Sequence, residues 1–401
     1  VETITRQKLQ QAKELLRNSN CDVWLTFVRE TTVSPDPILE FIFEGGLTWP
    51  SALMVTKTGE AIAVVGNYDA EPVESTGDWD RVFPYVQGIR EELLKVLETY
   101  VSSNGKIAVN YSLEDVHSDG LGHGMYQLLN SYLVSTRFEG SLVSSEAITM
   151  SLRGIKSPEE VERIRGAIVE TEILFDEVSE FAQVGMSEAE VFRSIHNRVR
   201  ERNLGFAWDS SADPIVNSGP HSMIGHGFAS DKINLTPGHV FHIDLGVTKN
   251  GYASDIQRCW YVSAGEPVPD DVIQAMNAVN ESITAAANFL KPGVMGHEVD
   301  SIARSVLTSR GYEEYLHALG HQVGRVAHDG GALLGPAWER YGKTPYIPVK
   351  EGEIYTLELG VILPERGYLG LEEMVRVTAT GVEWLTRRQL TMPIIQSRAG
   401  E

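Results

Sequence analysis

Two cysteines, Cys21 and Cys259, are all the thiols that this chain of 401 residues carries. That excludes a disulfide framework and a thiolate-held metal, each of which needs clustered cysteines. The sequence also lacks any apolar run of membrane-spanning length. Its opening residues, VETITRQKLQQAKELL, follow amphipathic-helix spacing rather than the charged-then-apolar order of an export signal. A cytoplasmic location is the expectation that follows. Basic residues are scarce, with 34 Lys and Arg against 55 Asp and Glu and a formal charge of −21. Neither nucleic acid nor an anionic membrane suits such a chain as partner, because both require a basic face.

What is present reads as two domains, the usual division at this length. Residues 1–153 have the pattern of a mixed α/β unit. A helix from about Thr5 to Asn18 leads into a strand, Asp22–Val28, then a hairpin over Ser51–Val65 around Lys57-Thr-Gly-Glu60, and a later strand from Gly105. Residues 154–401 open on Gly154-Ile-Lys-Ser-Pro-Glu-Glu160. There Ser157 is placed to cap a helix, Pro158 to start it and Glu160 to complete a capping box. That helix is expected to reach about Phe181, and Ser187-Glu-Ala-Glu190 to start a second. An echo follows 108 residues on: Phe181, Gly185, Glu190 and Val191 match Phe289, Gly293, Glu298 and Val299. Each half continues into paired strands, so two helix-plus-hairpin halves facing one another are expected, with a site on their shared axis.

The chemistry gathers in the last 160 or so residues, at Asp244, Asp255, His321, Glu358 and Glu372. Val240–Val247 reads as a strand, Asn250-Gly251 as a type I′ turn and Tyr252–Val262 as the return strand. With that turn, Lys249 pairs with Tyr252 and Gly246 lies opposite Asp255, so Asp244 and Asp255 share a face one diagonal step apart. On an ordinary hairpin such a pair faces solvent. The apolar neighbours Val240, Phe241, Ile243 and Leu245 argue otherwise, since unpaired acids beside a core are costly. Glu358 stands inside the apolar run Ile354–Val361 and Glu372 opens Glu372–Thr378, which reads as a repetition of the first hairpin's arrangement. His317, His321 and His328 fall within twelve residues; Gly320 and Gly324 weaken a helical reading of that segment. His221 and His226 sit on a glycine-rich loop. For any one of these histidines a turn or core role is the ordinary reading. Together, four carboxylates and an imidazole form the ligand set of a two-metal hydrolytic site.

At these residues the chain resembles the pita-bread metallopeptidase family, in its creatinase, prolidase and aminopeptidase P branch, and is most like an Xaa-Pro dipeptidase. The motifs are Ile-Asp244-Leu-Gly, Ser-Asp255-Ile-Gln-Arg, Gly320-His321-Gln-Val-Gly, Thr356-Leu-Glu358-Leu-Gly and Glu372-Glu-Met-Val-Arg-Val-Thr. The resemblance implies an α/β (α+β) chain: a creatinase-like N-terminal domain followed by a pseudo-twofold pita-bread catalytic domain. It implies Asp244, Asp255, His321, Glu358 and Glu372 as ligands of two divalent ions. Manganese is favoured by an all-oxygen set with one nitrogen, and zinc or cobalt is also compatible. It further implies that Glu358 handles the proton of the attacking water, and that His226, His317 and His328 hold substrate or the tetrahedral intermediate. The reaction implied is hydrolysis before proline, in Xaa-Pro dipeptides or at the N-terminus of Xaa-Pro peptides, by a homodimer acting on small peptides. Three departures stand out: Gly370 where many relatives have Arg, Ile362 where the family has Tyr, and Leu359 where the family has Pro. They keep open a creatinase-like amidohydrolase, amidinohydrolase or related lyase with a small non-peptide substrate. A third reading is a non-catalytic module that binds peptides, which retention of all five ligands disfavours.

Overall fold

A computed structural model describes residues 3–225 and 227–396. The chain divides into two compact units, Val1–Ser157 and Pro158–Glu401. The break expected after residue 153 would cut helix Glu146–Gly154, so the division comes four residues later, where Pro158 opens a new helix.

In the first unit, helix Ile4–Arg17 is capped by the Thr3 hydroxyl, which accepts from the Arg6 N–H at 3.2 Å. Its Leu9, Ala12 and Leu16, at helical spacing, are buried. Six strands follow: β1 (Val23–Val28), β2 (Ser51–Thr56), β3 (Ala61–Gly66), β4 (Arg81–Tyr85), β5 (Ile107–Val109) and β6 (Leu142–Ser144), in the order β4-β3-β2-β1-β5-β6. The expected hairpin is β2–β3, closed by Gly59 at φ +94°. Every residue of β1 is buried, because helices cover both faces of the sheet. Trp24 and Val28 enter one core; Val23, Leu25 and Phe27 enter the other.

The second unit is duplicated in three dimensions as well as in sequence. Helices Pro158–Phe181 and Asp270–Phe289 end on the two echoed phenylalanines. Gly185 and Gly293 follow at φ +93° and +90°, a conformation in which a side chain is strained. Helices Glu188–Glu201 and Gly296–Ser309 then begin and end 108 residues apart. The capping box at Ser187 forms as expected, with the Ser187 N–H donating to Glu190 Oε2 at 2.8 Å and the Glu190 N–H to the Ser187 hydroxyl at 3.2 Å. Glu298 accepts from the Met295 N–H in the same way at 2.8 Å.

The strands of this unit are β7 (Gly205–Phe206), β8 (Ile215–Ser218), β9 (Val240–Leu245), β10 (Val247–Lys249), β11 (Tyr252–Ala253), β12 (Ile256–Ser263), β13 (Ile354–Leu363), β14 (Gly367–Val377), β15 (Val382–Trp384) and β16 (Ile394–Gln396). They form three sheets, β16-β12-β9-β8, β13-β14-β15 and β11-β10-β7. The first hairpin, β9 to β12, packs against the second, β13–β14.

The first hairpin is interrupted where the sequence suggested two continuous strands. The register is the expected one on both sides: Lys249 pairs with Tyr252, and Leu245 with Ile256. Between them, Gly246 passes so close to its surroundings that a Cβ would lie 2.5 Å from Ala207 Cβ and from the Ser254 carbonyl oxygen, and 2.7 Å from Trp208 Cζ3. The ladder breaks there. Gly246→Ala is expected to destabilise the fold by about 1–3 kcal/mol through overpacking, read as a lowered midpoint of chemical denaturation.

Candidate metal centre

Each putting-together of a ligand has a local cause in strand geometry. Asp244 lies on β9 directly opposite Gln257 of β12, and Asp255 sits in the link between β11 and β12, where the register continues opposite Gly246. On the second hairpin Glu358 and Glu372 are direct cross-strand partners. The second hairpin therefore does not repeat the arrangement of the first. The residue that corresponds in register to Glu372 is Gln257, and the acid Asp255 comes two positions earlier.

His321 arrives on an extended segment, not a helix. The Glu358 N–H donates to the Leu319 carbonyl at 2.6 Å, and the Thr356 N–H to that of His321 at 2.9 Å. A Cβ at Gly320 would lie 2.0 Å from the Thr356 carbonyl oxygen, so only glycine lets the segment lie this close to β13. Extended backbone separates the two histidines of the pair His317 and His321. His317 is exposed beyond the segment, its ring 5.7 Å from that of Tyr315. His328 packs edge-on against His321 at 4.3 Å. His226 falls outside the described residues.

Three overlapping groups of potential ligand atoms lie within 4.8 Å of one another: Asp244, Asp255 and Glu372; His321, Glu358 and Glu372; and Asp255, His321 and His328. The structure thus brings together all five residues expected as ligands. Burial pushes the carboxyls of Asp255 and Glu372 well above the ordinary range and raises those of Asp244 and Glu358, and for all but Asp244 the charges of the neighbouring acids add to it. Asp244 Oδ1 and both carboxylate oxygens of Glu372 are buried without a hydrogen-bond partner. Burial, and then the neighbouring His328, lowers the His321 pKa to about 3, so this ring is neutral and its approaches to the acids are not ion pairs. Its Nδ1 lies 3.3 Å from the Gln322 carbonyl oxygen, a contact that places the proton on Nδ1. The Nε2 lone pair then faces Asp255 Oδ2 and Glu358 Oε1 at 3.6 Å and Glu372 Oε1 at 4.0 Å. A lone pair aimed at acids, with buried oxygens that no N–H or O–H reaches, is stable only around cations. The donor set fits divalent metal.

Sequence reasoning missed the support of this cluster. Gln257 donates from Nε2 to Glu358 Oε2 at 2.8 Å and, through Oε1, contacts His242 Nε2 at 3.0 Å. His242 Nδ1 lies 3.2 Å from Asn217 Oδ1. Behind the ligands, buried Arg258 donates to the Glu372 carbonyl at 2.8 Å and pairs with Glu373 at 3.0 Å, which fixes the backbone of β14. The signal for Gln257 was in the sequence: it shares the parity of Asp255 and falls opposite Asp244 in the predicted register. Gln257→Leu removes the donor that orients Glu358 and is expected to cost about 10–100-fold in metal affinity or activity, measured by metal titration and by turnover.

Two like hairpins closing on one buried, acid-rich centre define a chain of the pita-bread metallohydrolase class. Residues 162–379 match the family model described as metallopeptidase family M24, more than half of the chain, and the chain belongs to that family. Among curated relatives it is 31% identical over 244 residues to an Xaa-Pro dipeptidase of Pyrococcus furiosus, covering 60% of this chain and 66% of that one. The chain thus spans about two thirds of the length of that relative. An uncharacterised peptidase of Staphylococcus aureus is 24% identical over 385 residues, covering 94% and 98%. Among solved structures, the X-Pro aminopeptidase from Thermotoga maritima has a TM-score of 0.68 at 24% identity, covering 96% of this chain and 99% of that one. The Xaa-Pro dipeptidase from Bacillus anthracis has a TM-score of 0.71 at 22% identity, covering 98% and 100%. These likenesses establish the fold, with its N-terminal and catalytic units. Among the described residues no helix is long and apolar enough to cross a membrane.

Proposed function

We propose that this chain is a metal-dependent peptidase that hydrolyses the bond before proline in Xaa-Pro peptides. The observation that carries the reading is the convergence of four carboxylates, two buried and two half-buried, and one neutral imidazole, with the oxygens of Glu372 left without a hydrogen-bond partner. The relatives named as Xaa-Pro dipeptidases support the substrate class.

Asp244, Asp255, His321, Glu358 and Glu372 would hold two divalent ions, with manganese favoured by the oxygen-rich set. When bound, such ions supply a water acidified to near neutral pH and Lewis-acid polarisation of a carbonyl. The chain's own residues do the rest. Glu372 and Asp255 each belong to two of the overlapping ligand groups, so they join the two halves of the centre. Glu358, oriented by Gln257, is the carboxylate placed to take and return a proton. His328, beside His321 and open to solvent, is positioned to hold the scissile carbonyl or its tetrahedral adduct. His317, which is exposed, and His226 belong to the same expected set. A homodimer acting on small peptides completes the proposal. The test is manganese-loaded protein with Xaa-Pro di- and tripeptides: release of the residue before proline is expected, and silence across the panel refutes the reading.

The second reading, a compact-amide hydrolase or lyase of creatinase type, is favoured by one observation. The second hairpin carries Gly370 and Ile362 beside the ligands, and Ile362 is 64% exposed. That reading requires turnover of small amides with none of peptides.

A further inference from the structure

The second hairpin presents a ladder on the face that holds the ligands. Glu358 pairs with Glu372, Gly360 with Gly370, and Ile362 with Tyr368, and alternate residues of a strand share a face. The paired glycines leave a trough one step from the acids, and the Tyr368 ring lies in it. A Cβ on Gly360 would be 2.5 Å from Tyr368 Cζ and Oη, and one on Gly370 would be 2.4 Å from Cε1. Any side chain at either position would expel the ring. His242 meets its edge at 4.8 Å. The Tyr368 hydroxyl lies beside that of Tyr315, near enough for one phenol to bond the other. Tyr315 is held from outside the ladder: Arg304, paired with Asp300 at 2.8 Å, donates to the carbonyls of Tyr315 and His317.

Two phenols carry two protons, and a bond between them can use only one. The other O–H is left to donate beside Glu358. Burial, with the nearby charge of Glu358 behind it, keeps both phenols protonated. Both side chains are only partly buried.

We propose that the Tyr368–Tyr315 pair is a substrate-binding wall that donates one O–H to an uncharged acceptor of the substrate, and so selects peptides whose proline continues into an amide over free Xaa-Pro acids. The inference rests on the hydrolase reading above. A neutral O–H satisfies an amide carbonyl at no cost in charge. A carboxylate at the same place would find no positive side chain opposite it on the ladder, whose one arginine, Arg376, stands four residues beyond Glu372 and 3.9 Å from Glu383.

The experiment compares Ala-Pro-amide with Ala-Pro as substrates, and L-prolinamide with L-proline as ligands by calorimetry, for wild type, Tyr368→Phe and Tyr315→Phe. Metal content and thermal midpoint are monitored throughout. Wild type is expected to favour the amide by about tenfold or more in kcat/KM, with the same order in product binding. Tyr368→Phe should lose that preference, at unchanged metal content, and Tyr315→Phe should reduce it. Should Tyr368→Phe fail to fold, the Tyr315→Phe result decides. A wild-type preference for the free acid, or variants that keep the wild-type amide preference, would overturn the inference. If wild type cleaves neither substrate, the hydrolase reading falls, and prolinamide binding alone then judges the tyrosine pair.

Discussion

Glu372→Gln is expected to reduce hydrolysis by about a thousandfold or more, since ligand loss forfeits several kcal/mol of charge stabilisation at the reacting carbonyl. Glu372 is the residue of choice because it belongs both to the group with Asp244 and Asp255 and to the group with His321 and Glu358. Its two oxygens receive no hydrogen bond, so their reason for being buried and charged is a cation. Stability should respond in opposite directions. In metal-free protein the change removes one of four mutually repelling acids and is expected to be neutral or stabilising. In metal-loaded protein it removes a ligand and lowers the thermal midpoint. A purely structural Glu372 would give destabilisation in both states, so the pair of melting curves separates the accounts.

Chelation is expected to produce the second large effect. Ions held at a free concentration about a hundred times their dissociation constant stabilise the fold by about 2.7 kcal/mol, a shift of about 5–10 °C for a unit of this size. The gap between loaded and stripped protein should widen as pH rises. Asp244, Asp255, Glu358 and Glu372 all have folded pKa values above those of the unfolded chain, where they titrate near 4. Groups raised in this way contribute stability that is fully present below about pH 4 and is lost as pH climbs through the elevated folded values. The stripped protein therefore weakens between about pH 5 and pH 8, while ligands freed of protons bind metal more tightly over the same interval. A gap that narrows over that range contradicts the assignment of these acids as ligands. Differential scanning calorimetry at several pH values measures it.

Much of this centre was legible because strand parity and turn chemistry are local. Asn250 and Gly251, at φ +52° and +76°, form the turn expected of Asn-Gly, and the turn fixes the register that places Asp244 and Asp255 on one face. The capping box at Ser187 and the echo at Gly185 and Gly293 likewise follow from a few residues each. What escaped depends on contacts distant in sequence. The break at Gly246 comes from the approach of Ala207 and Trp208. The extended backbone at His321 comes from its pairing with β13, which no pattern within Leu316–Asp329 announces. Gln257 was overlooked for a different reason: an amide in a strand carries no charge to draw the eye, although the register already set it opposite Asp244. Tyr315 lies on an irregular segment whose place is set by Arg304, 11 residues earlier on a helix.

The central claim is that acids from two like hairpins and one neutral imidazole jointly hold cations. Anomalous diffraction from crystals soaked in manganese tests it most directly. Two peaks bounded by Asp244, Asp255, His321, Glu358 and Glu372 are the predicted result, both weakened in Glu372→Gln. An absence of density among these five residues at saturating manganese, in crystals that diffract well, would contradict the account.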